Sequence, residues 1–276
     1  IREAGIVGMG GAAFPTHAKL SPPPERMIDT LIVNGAECEP YLTADDHLMR
    51  ESAERIIAGA AIAAKILKVP QVLIGVEENK PEAIESLRKA AEGLRGFSVV
   101  PLKTRYPQGG EKQLIYALTG RRVLAGGLPM DVGCVVQNVG TLAAVADAVM
   151  EGRPLIERVV TVTGSPVVSR GNFLLRFGTP VRQALELAGG VKDTVGKLIL
   201  GGPMMGFAQS SLDVTVSKNT SGILLLAESE VRQFEAGPCL SCGRCVAAMS
   251  RYNTKAKSHG ITKRMNAMIW RRKTTS

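Results

Sequence analysis

Leu31-Ile-Val-Asn-Gly35, the Ala-rich stretch Glu51 to Leu67 and Val72-Leu-Ile-Gly-Val76 form the passage that decides the fold. A short run of branched apolar residues, a helix-length segment and a second branched run give the rhythm of a parallel sheet whose strands are joined by covering helices. The rhythm continues through Glu82 to Leu94, Ser98 to Leu102, and Cys134-Val-Val136 leading into an Ala-rich helix from Leu142 to Met150. Asn34-Gly35, Gly75, Pro81, Gly109-Gly110 and Gly126-Gly127 punctuate it as turns. Residues up to Met150 therefore read as an α/β layer.

From Glu157 the texture changes. Arg158-Val-Val-Thr-Val-Thr-Gly164 and Asn172 to Phe177 read as strands, followed by a helix with Thr179 as N-cap, Pro180 at its first position and Gly189 as its stop. With Leu198-Ile-Leu200 they make a compact α+β module. A polar connector then leads to a cysteine cluster beginning near Pro238. No repeat of domain scale is present, and Pro22-Pro23-Pro24 reads as a stiff loop.

The 276 residues, 45% apolar, can fill real cores. The net charge of +9 would ordinarily point to nucleic acid or an anionic membrane. It is localised: eight of the 34 basic residues and none of the 25 acidic ones lie in 249–276, which leaves the body near neutral and argues against nucleic acid as a partner. The longest nearly uninterrupted apolar run, Ile56 to Leu67, is twelve residues with Lys65 inside it, short of the ~20 that span a bilayer. Ile1-Arg2-Glu3 lacks the pattern of a signal peptide, and a start without methionine suggests an internal fragment. Five cysteines, three of them within seven residues, point to a reducing compartment and a metal rather than to disulfides.

Four short motifs offer ligand chemistry. Gly8-Met-Gly-Gly-Ala-Ala-Phe14-Pro-Thr16 lets backbone N–H groups approach a phosphate, or simply makes a tight turn. It satisfies G-x-G-x-x-A, but Pro15 and Pro22 break the long helix that a dinucleotide fingerprint must open. Asn34-Gly-Ala36-Glu37-Cys38-Glu39-Pro40 places alternating carboxylates just after a strand, as acceptors for ribose hydroxyls or a flavin ring, or as a charged turn. Tyr106-Pro-Gln-Gly109-Gly110-Glu111, and Val136-Gln137-Asn138-Val-Gly-Thr141 entering a helix, suit a phosphate or the edge of an isoalloxazine. Cys134, within an apolar strand, reads as a small core residue, and His47 as a surface or helix-start residue.

Cys239-Leu-Ser-Cys242-Gly-Arg-Cys245 is C-x-x-C-x-x-C, which presents three thiolates to an iron–sulfur cubane; in the usual pattern a fourth Cys and a Pro follow three residues later. Here those positions are Met249 and Ser250. Zinc is the rival, but it prefers two separated ligand pairs and no second pair follows.

Taken in order, Gly8-x-Gly-Gly-Ala-x-Phe-Pro-Thr-x-x-Lys19, Asn34 to Asp46, Tyr106-Pro-x-Gly-Gly-x-Lys-Gln113, Gln137-Asn-Val-Gly-Thr141 and Gly201-Gly-Pro-Met-Met-Gly206 closely resemble the C subunit of the Rnf ion-translocating ferredoxin:NAD oxidoreductase, from Gly5 to about Ala248. The same core is similar to the NADH-oxidising flavoprotein subunit of respiratory complex I and to the cobalamin reductase of propanediol-degrading bacteria. The resemblance implies a Rossmann-like α/β domain for FMN and NADH at 1–153, a β-grasp α+β module of the soluble-ligand-binding type at 154–212, a connector with a truncated ferredoxin-like 4Fe-4S segment at 213–248, and a basic tail at 249–276.

By that resemblance FMN is held by Gly8, Gly10, Lys19, Asn34, Ala36, Glu37, Tyr106, Gly109, Val136, Gln137, Asn138 and Thr141. NAD(H) is held by Gly11, Phe14, Lys19, Glu39 and Glu111, and the cluster by Cys239, Cys242 and Cys245, with no side chain acting as acid or base. Phe14 would stack on adenine or nicotinamide, Glu39 would accept from ribose, and Lys19 would offset phosphate charge. Relative to the complex I pattern, Met9 replaces an Arg, Pro22 a stacking aromatic, Cys38 a Ser and Gln137 an Asn, which implies weaker or differently oriented nucleotide binding. The implied activity is electron transfer between NAD(H) and ferredoxin, as an oxidoreductase docked peripherally on the cytoplasmic side of the membrane by other subunits of the complex. A soluble cobalamin reductase, a catalytically silent truncated fragment, and a scaffold whose 155–210 module alone binds something are the alternatives.

Ala-Met-Ser in place of Ala-Cys-Pro is what one inserted base in the Ala codon produces, and acid-free sequence without resemblance begins there. Residues 249–276 are therefore expected to be a frameshifted tail; the rival is a real basic segment with Trp270 facing anionic lipid. Translating the other frames of the gene is the check. Recovery of Cys-Pro and a second C-x-x-C-x-x-C is expected, and their absence from every frame rules the frameshift out.

Overall fold

The computed structural model describes residues 1–231 and 241–244. Ahead of the first strand the chain folds back on itself, with the Gly8 N–H donating to the Phe14 carbonyl at 2.8 Å and Val7 bridging Pro15. A single helical turn follows (α1, Thr16–Lys19) with Pro15 at its cap, and Pro22-Pro23-Pro24 come too soon after it for a second turn, so the glycine loop opens no long helix. Then come β1 (Thr30–Gly35), α2 (Ala44–Glu51), α3 (Ala53–Leu67), β2 (Gln71–Glu77), α4 (Pro81–Ala90), β3 (Phe97–Leu102), α5 (Glu111–Thr119), β4 (Cys134–Asn138) and α6 (Val139–Met150). The four strands pair in parallel in the order β3-β2-β1-β4.

Both faces of this sheet are covered, which is why its strands read as continuous apolar runs. Leu31, Val33, Val72 and Ile74 point into a core with Met49 of α2, Ile56 of α3, Leu87 of α4 and Leu142 of α6. Ile32 and Val136 point the other way, against Leu114 and Ile115 of α5. The helix expected within Glu51 to Leu67 begins at Ala53, because Ser52, at φ −138°, ends α2 and starts α3. Where α3 crosses α6 the backbones touch at Gly59, whose Cβ would lie 1.9 Å from the Leu142 carbonyl oxygen.

The second sheet is built from β5 (Glu157–Gly164), β6 (Gly171–Arg176), β7 (Val195–Leu200), β8 (Phe207–Gln209) and β9 (Gly222–Ala227), with α7 (Val181–Leu187) between β6 and β7. Its order is β6-β5-β9-β7-β8, with β5 parallel to β9 and the other pairs antiparallel. Val181, Ala184 and Leu185 of α7 cover Val160, Val162, Leu198, Ile223 and Leu225.

Two expectations are corrected here. The connector expected from residue 213 contains β9, the middle strand of the sheet, so the module runs past 212 to Ala227. Gly222-Ile-Leu-Leu-Leu-Ala227 is flanked by neighbours on both edges and buried, so its pattern is uniformly apolar rather than alternating. The helix expected to be capped by Thr179 starts at Val181 with Pro180 at the cap position and no side-chain cap; its stop at Gly189, φ +79°, is as expected.

Residues Ile1–Val231 form one unit. The sheets are joined by the Thr43 N–H on Thr161 Oγ1 at 3.1 Å, by Asn172 against Thr43, and by the Leu155 N–H on the Ala4 carbonyl.

Gly59→Ala tests the α3–α6 contact. Alanine is the better helix former by about 1 kcal/mol, yet here its methyl must push a backbone carbonyl aside. Chemical denaturation should show a net loss of about 1–3 kcal/mol, whereas a stabilised variant would mean the helices are not in this contact.

Candidate functional site

The strand order β3-β2-β1-β4 puts a reversal of chain direction across the sheet between β1 and β4, and in open parallel sheets ligands sit in the crevice at that reversal, beyond the carboxyl ends of the strands. Asn34 and Asn138 are paired at those ends. The loops after β1 and β4, the glycine loop, the N-terminus of α5 and the turn Gly201–Gly206 of the second sheet enclose a cavity of about 1060 Å³ there. Pockets for small molecules and cofactors run from roughly 300 to 1,000 Å³, so this one lies at the upper end and is large enough for a nucleotide cofactor.

Every cofactor-binding residue expected from the sequence lines this cavity except Thr141. Thr141 is fully buried behind it, where its Oγ1 accepts the Met9 N–H at 2.9 Å and so pins the glycine loop. Gly109 allows two loops to touch, since a Cβ there would lie 2.2 Å from the Ala36 carbonyl oxygen. Asn34 bridges the same loops, donating Nδ2–H to the Gly109 carbonyl at 2.9 Å and accepting the Ala36 N–H at 3.1 Å. Asn138 caps α6, accepting from Gly140 and Thr141, and donates to Asp45 Oδ2 at 2.6 Å. Lys19, the one cation among the described lining residues, is held by Glu111 at 2.6 Å and by the Val136 carbonyl at 3.1 Å.

Two lining groups have no partner: Gln137 Nε2 and Glu39 Oε1 are buried and unbonded. A buried polar atom left unpaired costs about 1–3 kcal/mol, so both are natural contact points for a bound molecule. Phe14 and Tyr106, with Met205 and Phe207 from the second sheet, are exposed apolar side chains on the walls. Cys38 accepts the Gly109 N–H at 3.4 Å, and burial raises its thiol pKa.

Beneath the cavity lies a buried charge cluster that sequence reasoning missed. Glu37 turns inward and caps α2, accepting the Asp45 and Asp46 N–H groups at 2.9 and 3.1 Å, with Lys80 Nζ at 3.5 Å. Burial, and then the charge of Asp45, pushes its carboxyl up to about 7. Burial also raises Asp45, against the pull of Arg158, Asn138 and Lys80. Arg158 of β5 reaches across from the second sheet, donating to the Lys218 carbonyl at 2.6 Å and the Met9 carbonyl at 3.1 Å; burial lowers its pKa while Asp45 and Glu37 oppose that. The signal was present: Arg158 shares the alternation of Val160 and Val162 and so points inward from its strand.

Cys242 is exposed, whereas Cys239 and Cys245 lie outside the described residues, as do Met249 and the tail. Among the described residues no group of three or more His, Cys, Asp and Glu could hold a metal ion.

A glycine-lined crevice at the carboxyl edge of a doubly covered parallel sheet, with buried donors and acceptors left free, defines a nucleotide-cofactor-binding α/β protein carrying a second, mixed-sheet module. The chain belongs to the Nuo51 FMN-binding domain family, whose model matches residues 1–147, and an SLBB domain model matches 159–208. It is 54% identical over 248 residues to the C subunit of the proton-translocating ferredoxin:NAD(+) oxidoreductase complex of Clostridium ljungdahlii, covering 90% of this chain and 54% of that one. Its Na(+)-translocating counterpart from Acetobacterium woodii is 47% identical over 246 residues, with 89% and 56% covered. The C subunit of the ion-translocating oxidoreductase complex of Pseudomonas aeruginosa is 50% identical over 246 residues, with 89% and 32% covered. The chain thus spans about a third to a little over half the length of these relatives. Its fold matches a chain of an NAD+-reducing [NiFe]-hydrogenase at TM-score 0.68 and 22% identity, over 82% of this chain and 46% of the other.

Arg158→Met removes the cation but keeps much of the volume. Breaking a buried charge network of this kind costs about 3 kcal/mol or more. Without the guanidinium the folded-state pKa values of Asp45 and Glu37 rise further above their unfolded values, so the folded state keeps its protons to higher pH. The stability deficit should be smallest near pH 5 and widen toward pH 8 in urea titrations; a pH-independent deficit would contradict the coupling.

Proposed function

We propose that this chain binds FMN and NAD(H) together in the cavity and serves in electron transfer between NAD(H) and ferredoxin, as the peripheral subunit of an ion-translocating oxidoreductase complex. The observation that carries this reading is one large cavity at the carboxyl edge of the sheet in which Gln137 Nε2 and Glu39 Oε1 are buried and left unpaired. The relatives named as ferredoxin:NAD(+) oxidoreductase subunits support the electron donor and acceptor.

The residues present fit FMN. Gly8, Gly10 and Gly11 bring backbone without a Cβ to the cavity wall, and Lys19 stands at its edge to balance phosphate charge. Gln137 Nε2 offers a donor to a carbonyl of a planar ring. FMN, when bound, supplies the conversion between hydride transfer and single-electron transfer. The protein's part is to orient and to exclude water: Phe14 gives a face for stacking, Glu39 an acceptor for a ribose hydroxyl, and Glu111 releases Lys19 to a phosphate. Cys239, Cys242 and Cys245 would hold three corners of an iron–sulfur cluster, which would supply a one-electron acceptor, and the other subunits of the complex would dock the chain on the cytoplasmic side of the membrane. Among the described residues no helix is long and apolar enough to cross a membrane.

Adding FMN to the purified chain should quench flavin fluorescence, and NADH should then bleach the flavin absorbance. Loss of both would remove the flavoprotein reading. Glu39→Ala should slow bleaching at limiting NADH by about tenfold or more and leave FMN affinity nearly unchanged; equal loss of the two would contradict the division of roles.

A further inference from the structure

The motif Gly201-Gly-Pro-Met-Met-Gly206 supplies one wall of the cavity from the second sheet. It joins β7 to β8 and is closed on itself by the Gly206 N–H on the Gly202 carbonyl at 2.8 Å, and tied to the sheet by the Gly201 N–H on the Gly222 carbonyl at 2.8 Å. Gly201 has φ +99°, and a Cβ on Gly206 would lie 2.4 Å from the Gly202 oxygen, so the turn depends on glycine at both places. At the middle of the turn the Met204 N–H donates to Glu39 Oε2 at 3.0 Å. Gly202 is pressed against the same carboxylate: a Cβ there would lie 2.0 Å from Oε2 and 2.6 Å from Cδ.

We propose that this turn of the second module is a positioning element of the dinucleotide site, which seats the Glu39 carboxylate on the Met204 N–H and leaves Oε1 to be completed by the ribose of NAD(H). Two observations converge on it. Gly202 is the residue type the close approach demands, and Oε1 is buried with no partner although a carboxylate oxygen accepts readily. A contact serving only to glue the modules would pair both oxygens. Instead one oxygen is fixed by the protein and the other is left unpaired in a residue that lines the cavity. The inference rests on the proposed nucleotide site and assigns it a residue pair from the other sheet; Gly202 and Met204 act through Glu39 and touch no reacting atom.

The test is a double-substitution cycle on the full chain loaded with FMN. The NAD+ dissociation constant is read by calorimetry, the FMN constant by fluorescence, and folding by thermal melting. Gly202→Ala should displace the carboxylate and weaken NAD+ by about tenfold or more. In a Glu39→Gly background, which removes both the carboxylate and the Cβ that would lie 2.7 Å away, Gly202→Ala should add less than about a twofold change. Met204→Pro, which deletes the N–H without adding a methyl beside Glu39, should reproduce the pattern and serves if Gly202→Ala melts early. FMN affinity should hold in each. Unchanged NAD+ affinity in both single variants, equal losses in both backgrounds, or parallel loss of FMN would overturn the proposal while sparing the flavin reading. An unsubstituted chain that binds FMN but not NAD+ would overturn this proposal and the NAD(H) half of that reading; one that binds neither would overturn the whole reading.

Discussion

A guanidinium buried beneath a glycine loop is the interaction on which the rest of this structure depends. Arg158 belongs to the second sheet, yet its donors go to the Met9 carbonyl of the glycine loop and to the Lys218 carbonyl, with Asp45 of α2 and Glu37 of the loop after β1 supplying the countercharge. Thr141 holds Met9 from the other side through its N–H. Desolvating an arginine and two carboxylates is expensive, and the arrangement persists because each charge finds hydrogen bonds as well as an opposite neighbour. The cost is met where it fixes one relation: the position of the glycine loop relative to both sheets.

The cavity follows from that relation. A parallel sheet alone presents an open crevice at its carboxyl edge, bounded by the loops after β1 and β4. With the second sheet locked against it, the crevice gains a further wall, the turn at Gly201–Gly206, and exposed apolar faces at Met205 and Phe207. Side chains in this space and just behind it divide into two sets. Asn34, Asn138, Glu37 and Thr141 are consumed in holding loops and helix starts. Gln137 and Glu39 keep a polar atom unpaired, and Lys19 and Glu111 hold each other at the cavity edge. The first set gives the site its rigidity and the second its capacity to bind, a division seen where binding groups are positioned by a preorganised scaffold.

The alternation of branched runs and helices was readable in the sequence because buried parallel strands need apolar residues on both faces, and Leu31 to Val33 and Val72 to Val76 have them. The same logic hid β9: Gly222 to Ala227 is uniformly apolar and isolated from a second such run, so it reads as a connector until its neighbours β5 and β7 are placed on either side. The candidate site was readable as motifs, and the residues of four loops do meet in one cavity. What each one does there was not readable. Glu37 and Glu39 stand two residues apart in the same turn, yet one caps α2 and the other reaches the second sheet.

The sequence by itself determined the parallel layer, the mixed second module, the family and the set of loops that gather at the sheet's carboxyl edge, because these follow from local patterning and short motifs. Only the tertiary structure decided that Thr141 lies behind the cavity, that Arg158 joins the modules, and that Gly202 must be glycine for Glu39 to sit where it does. Those facts concern contacts between residues more than a hundred positions apart, set by how two sheets pack, and no local pattern carries them.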